Sequence, residues 1–210
     1  MTVFKAWGKA TSLLLALLIA CSLLTACSLK SNIEVEGKQQ DFAAMSLDEL
    51  EEYVTVGEYK NVSIALNGKT KQDAVWDAVL KNANVNEYPQ EHVYYYIDQL
   101  EGQYRYYASQ AGVSYKEILE QLGESDATIL QDAKAMAKKD VVYAIIVKKE
   151  AISLSDGEKQ AYFDKYVDKY VETYGYGKEH VKANMSELIY DSMLYDKTTE
   201  FLILNNTFSK

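Results

Sequence analysis

Two cysteines, Cys21 and Cys27, are the only thiols in this 210-residue chain, and both close an apolar run. Leu24-Thr25-Ala26-Cys27 has the spacing of a bacterial lipobox, in which the cysteine sulfur takes a diacylglyceryl group through a thioether and becomes the first residue of the mature chain. Leu18-Ile19-Ala20-Cys21 fits the same pattern. Cutting at Cys21 would leave Ser22 to Ala26 at the mature terminus, whereas Cys27 is followed by the polar stretch SLKSNIEVEGKQQ, so Cys27 is the expected lipid anchor. Lys5 and Lys9 precede the apolar run from Leu13 to Leu24, the layout of a secretory signal over residues 1–26. That run is short for a membrane span, which needs roughly 20 apolar residues. Two acyl chains, at about 0.8 kcal/mol per buried CH₂, hold a protein on a bilayer where one does so only marginally.

Other reactive constellations are not assembled. His92 and His180 lack the i, i+4 pairing of a helical zinc site and are expected at the surface or partly packed. The stretch Gly175 to Lys178 lacks the further glycine and the Ser/Thr of a phosphate loop, and Asp156-Gly157 lacks the oxygen run of a calcium loop. Ser114, in GVSYK, is not on a nucleophile elbow. Pairs such as Glu51-Glu52 belong to solvated helix faces. No metal, cofactor or catalytic residue is expected. Asn61-Val62-Ser63 matches a glycosylation acceptor, which the bacterial lipobox discounts.

With Cys21 in the leader and the Cys27 sulfur taken by the anchor, no disulfide is available to brace the mature chain of about 180 residues, so an apolar core must do so. The charge balance is 22 basic against 31 acidic residues, a net −9, and loss of Lys5 and Lys9 makes it more negative still. That surface excludes nucleic acid, which rewards clustered Lys and Arg.

The elements that must position any binding surface are mostly helical. There is one proline, Pro89, and long stretches carry apolar residues at helical spacing. Ser46 with Glu49 opens a short helix to about Val54 as a capping box. Val62, Ile64 and Leu66 alternate before Asn67-Gly68, the mark of one short β segment near 60–66. Thr70 caps a helix over 71–83 with Val75, Val79 and Ala83 on one face. Pro89 fits the first turn of the next helix, whose stripe is Val93, Ile97, Leu100, Tyr104, Tyr107 and Ala111. Gly112 ends it; Ser114 with Glu117 starts a helix to Leu122, and Gly123 closes that one. A long helix from Asp126 to about Ala151 follows, then one from the Ser155/Glu158 capping box to Gly175, then one from about 178 to 204. The expected division is a signal peptide at 1–26, a polar tether at 27–45, a helix-and-strand lead-in at 46–69 and a helical domain at 70–210.

Tyrosine is unusually frequent, with 18 in the chain. On a helix wheel at 100° per residue, Tyr95 lies about 200° from Val93, and Tyr106 lies about 20° from Tyr95. Both are expected to face away from the core. On the last helix, Tyr190, Leu194 and Phe201 stand opposite a main stripe of Val181, Met185, Leu188, Ser192, Tyr195, Thr199 and Leu202. Together with Met136, Tyr166 and Met193 they are the expected polypeptide-binding residues, since tyrosine offers area at low entropic cost and methionine adapts to varied partners. A second copy of the chain is the alternative cover for these rings.

Several segments in order, VTVGEYKNV at 54–62, VLKNANVNEYPQEHV at 79–93, LSDGE at 154–158, YGYG at 174–177 and SMLYDKTTEFL at 192–202, resemble the C-terminal chaperone domain of trigger factor and its SurA-like peptide-binding relatives. The resemblance spans about residues 53–205 and implies a multi-helix chaperone fold. Trigger factors usually carry an FKBP-type prolyl isomerase domain after the segment resembling VTVGEYK. Here only a few residues separate Leu66 from the helix after Thr70, so that domain has no room, and the signal and tether stand where a ribosome-docking domain would be. What the resemblance implies is a membrane-anchored holdase for unfolded or newly exported polypeptides, on the extracytoplasmic face, with no ribosome contact. The rival expectations are a prolyl isomerase, which the family name invites, and an adaptor lipoprotein that docks one specific partner.

Overall fold

The computed structural model describes residues 37–210. Eight helices and four short strands fall within them: α1 (Leu47–Tyr53), β1 (Val54–Thr55), β2 (Ser63–Ala65), α2 (Lys71–Asn82), β3 (Asn84–Val85), α3 (Gln90–Ala111), α4 (Tyr115–Leu122), α5 (Asp126–Lys149), α6 (Asp156–Tyr174), α7 (Lys178–Asn184), α8 (Ser186–Leu204) and β4 (Thr207–Ser209). Helix accounts for 68% of these residues, so the mostly α expectation holds. The expected signal and Cys27 lie outside the described residues.

The local start and stop signals act as their chemistry requires. Ser46, Ser114 and Ser155 each accept a hydrogen bond from the main chain three residues on, while Glu49, Glu117 and Glu158 reach back to close three capping boxes. Thr70 caps α2, and Gly112, Gly123 and Gly175 end α3, α4 and α6 in the left-handed conformation. Pro89 takes the N-cap of α3 rather than its first turn.

The chain divides into two compact units. The first joins residues 37–40 to 89–137: α3, α4 and the N-terminal half of α5. Its buried residues include Val93, Leu100, Ala108, Ile118, Leu119, Ile129, Ala133 and Ala137. Gly37 is required where it is, because a Cβ there would run into the α3 main chain at Tyr94–Tyr95 and the Asp98 carboxylate.

The second unit joins residues 41–88 to 138–210. Its core packs Leu50, Val54, Ile64, Val75, Trp76, Val79, Val141, Val142, Ile145, Ile146 and Leu202. Each fully buried aliphatic side chain stabilises by about 1.5–3 kcal/mol relative to exposure. Residues 41–45, expected as part of the polar tether, instead form a turn whose Phe42 is buried in this core.

The single β segment expected near 60–66 has a partner that the sequence did not announce. β2 pairs in parallel with β4, from Ser63↔Thr207 to Ala65↔Ser209, while β1 pairs antiparallel with β3. Asn206 clamps the junction: its Oδ1 accepts from the Val62 N–H at 2.8 Å, and its Nδ2 donates to the carbonyls of Tyr59 and Leu202.

One continuous helix over 178–204 was expected, and the structure corrects this. The chain breaks at Met185, which leaves helical geometry. Asn184 donates to the His180 carbonyl at 3.0 Å and Ser186 to the Lys182 carbonyl at 2.7 Å. These side-chain bonds compete with the helical ladder at that point.

Candidate polypeptide-binding surface

The expected binding residues divide between the units. Tyr95, Tyr106 and Met136 belong to the first; Tyr166, Tyr190, Met193, Leu194 and Phe201 belong to the second.

In the first unit Tyr106 stands 58% exposed on α3, as expected. Tyr95 does not stand clear: it is half-buried, stacked on His92 at 5.7 Å and set edge-on to Tyr96 at 5.3 Å. The outward ring is Tyr94, at 54%. The cause is His92, expected near the surface but only 1% exposed, whose Nδ1 accepts from the Gln40 N–H at 3.1 Å. Gln103 is buried too and donates to the Tyr107 hydroxyl at 2.7 Å. These polar residues turn the buried stripe toward His92, and from there Tyr94 lies about 200° round while Tyr95 is within roughly 60°. Ala111, expected in the stripe, is exposed in the last turn, and Tyr104 and Tyr107 are half-buried. Burial, followed by the charge of Glu124, pushes the Tyr104 hydroxyl up to about 12. Met136 is half-buried, and Leu130 is the further exposed apolar residue of this unit.

In the second unit α6 packs on α8 and leaves two shallow grooves. One, of ≈ 390 Å³, is lined by Asp156, Lys159, Gln160, Phe163, Asp164 and Tyr190. The Tyr190 ring lies 5.4 Å from Phe163 and carries the Lys159 ammonium 5.3 Å from its centroid. The other, of ≈ 360 Å³, is lined by Lys165, Tyr166, Asp168, Lys169, Glu172 and Asp196. There the Tyr166 hydroxyl donates to Asp196 at 2.6 Å, with Lys169 over the ring at 5.5 Å. Burial and the bond to Asp196 raise the Tyr166 hydroxyl's pKa.

Met193 is corrected: it is 4% exposed and packs inside, on the face that begins with Met185 and Ile189 after the helix break. Leu194 and Phe201 are half-buried, and Phe201 lies beneath Lys60 at the edge of the core. Two further apolar side chains stand out here, Tyr162 and the 75%-exposed Leu204. Tyr162 was legible, since it lies about 140° from the buried Val167 on the α6 wheel.

The chemistry on offer is that of a ring-bearing, charged surface: weak apolar area, stacking faces and hydroxyl donors, arranged as shallow clefts. Among the described residues no group of three or more His, Cys, Asp or Glu side chains could hold a metal ion.

No curated protein and no solved structure matches the chain. The model of the family described as bacterial trigger factor protein (TF) C-terminus does match, over residues 46–203. Those bounds take in α1 through nearly all of α8, including both grooves and the exposed rings of α3, and the chain therefore belongs to the trigger factor C-terminal family of chaperone-like domains.

Proposed function

We propose that the chain is a membrane-anchored holdase, tied to the extracytoplasmic face by a diacylglyceryl group on Cys27, that shelters apolar segments of unfolded or newly exported polypeptides without catalysing a reaction. The observation that carries this reading is the set of large apolar side chains left open on a domain whose core is already filled: Tyr94, Tyr106 and Leu130 in one unit, Tyr162 and Leu204 in the other. Open apolar side chains of this kind give an unfolded segment area to bury against. Reversible burial of client segments lowers the free concentration of the unfolded chain, and with it the rate of aggregation. Against an isomerase domain inserted between β2 and α2 stands the join itself, a tight turn closed by a bond from the Lys69 N–H to the Leu66 carbonyl at 2.9 Å.

The test uses the full chain in detergent micelles and a client diluted from denaturant. Suppression of light scattering near stoichiometric ratio is expected; scattering unchanged at several-fold molar excess refutes the reading. X-Pro exchange, which takes tens to hundreds of seconds uncatalysed, is expected to proceed at its uncatalysed rate in a proline-peptide assay.

A further inference from the structure

The parallel pair β2–β4 leaves one edge of β2 without main-chain partners. The Thr207 N–H donates to the Val62 carbonyl at 3.1 Å and the Leu66 N–H to the Ser209 carbonyl at 2.9 Å, which turns the main-chain groups of residues 62, 64 and 66 toward β4. Main-chain groups alternate sides along a strand, so those of Ser63 and Ala65 point the other way. Among the described residues nothing bonds to them. Ser63 and Ala65 are exposed and Ile64 is buried.

Proteins guard such edges by keeping them short, or with lysine, proline, bulges or a covering element, and of these β2 shows brevity. Ser63-Ile64-Ala65 carries neither lysine nor proline, and the two residues on its open side are small. A two-stranded, three-residue pair is also marginal by itself and gains from a further strand.

We propose that the open edge of β2 is a docking strand for an extended segment of unfolded polypeptide, which adds as a third strand through main-chain hydrogen bonds to Ser63 and Ala65. The inference rests on the holdase reading and gives it a selection rule. Every polypeptide has the N–H and C=O groups that this edge requires, but a folded one has already paired nearly all of them. An edge of this kind therefore separates unfolded from folded chains without reading sequence. The small side chains of Ser63 and Ala65 leave room for whatever residues the client presents.

Amide hydrogen exchange of the full chain in micelles, with and without reduced carboxymethylated α-lactalbumin as a permanently unfolded client, tests this directly. Exchange at Ser63 and Ala65 is expected to slow by about tenfold or more when client is present. Ala65→Pro removes one outward N–H and leaves the β4-facing bonds in place, as edge strands tolerate. It is expected to weaken client binding roughly fivefold, the effect of one lost hydrogen bond. Client binding with unchanged exchange at both amides overturns the edge inference and leaves the holdase reading standing. Failure of the wild-type chain to bind the client overturns both. The exchange measurement is made on the wild type, so it decides the question even where the proline variant does not fold.

Discussion

On α6 and α8 the rings beside the grooves come with partners of their own. Lys159 covers Tyr190, Lys169 covers Tyr166, and the Tyr166 hydroxyl is bonded to Asp196. Deeper in the same unit Trp76 stacks on Tyr195 at 5.4 Å beneath Lys139, and its indole N–H donates to Thr199 at 2.9 Å. Tyr162 is the exception. On α3 the outward rings are bare of cations: among the described residues none lies over Tyr94 or Tyr106 and no bond leaves either hydroxyl, and Tyr106 has Tyr107 as a ring neighbour at 6.2 Å. A ring with a lysine on its face already has much of what a client could offer, worth about 0.5–1 kcal/mol at an exposed site. A bare ring has that capacity free. The difference teaches that exposure alone does not grade binding surfaces. On this ground the α3 rings should contribute more to client binding than those beside the grooves, although the grooves are the more concave.

The widest gap between the units should appear in what their side chains do for stability. Ile145 is fully buried in the core of the second unit. Ile145→Ala is expected to cost about 2–5 kcal/mol, through lost transfer energy and a residual cavity. Tyr94→Ala on α3 should stay within about 0.5 kcal/mol. Chemical denaturation of both variants checks this, and comparable losses would mean that Tyr94 is a packing residue after all. Gly57→Ala comes next. A Cβ at position 57 would run into the Asn82 carbonyl, a main-chain atom that cannot swing aside. A loss of about 1–3 kcal/mol is expected, as for other overpacked sites. Gly102→Ala on α3 meets open space and should be neutral or stabilising.

How much of this was legible in the sequence depended on how local the signal was. The caps at Ser46, Thr70, Ser114 and Ser155 and the stops at Gly112, Gly123 and Gly175 involve neighbours within a few residues, and each acts as expected. The partner of β2 lies more than 140 residues away in a three-residue strand, too short to show alternation. The outward face of α3 was misplaced because His92 and Gln103 are polar and were left out of its stripe; the bond from Gln40, distant in sequence, satisfies a ring nitrogen of the buried His92. Met193 is inside because α8 is covered on opposite faces: Met193 and Leu202, about 180° apart on its wheel, are both buried. In each case a contact between distant residues overrode the local pattern.

The contrast between bare and partnered rings yields a smaller effect on a different scale. Tyr94→Ala with Tyr106→Ala is expected to lower client binding several-fold with little change in melting temperature. Tyr190→Ala should lower melting temperature, since it removes the contacts with Phe163 and Lys159, and should change client binding less. Titration of labelled client against each variant, alongside thermal unfolding, separates the two. The reverse ranking would transfer the client surface to the grooves of α6 and α8.

The smallest expected effect is a pH dependence at the N-terminus of α6. Glu158 accepts from Lys197, and from the Ser155 hydroxyl and N–H, and these bonds hold its carboxyl down at about 2 from an ordinary 4.5. A carboxyl depressed on folding contributes stability above its unfolded pKa and loses that contribution as pH falls toward the folded one. The N-terminus of α6 should therefore weaken between about pH 4.5 and 2. Because Glu158 is at the surface, solvent and salt screen most of this contribution. Glu158→Gln keeps a side-chain acceptor for the capping box but has no charge to titrate. In that variant the fall in melting temperature over this pH range should be shallower than in the wild type, and the difference should shrink in high salt. Equal slopes would mean that the ion pair with Lys197 adds nothing to α6, and that the cap alone holds the helix which forms one wall of both grooves.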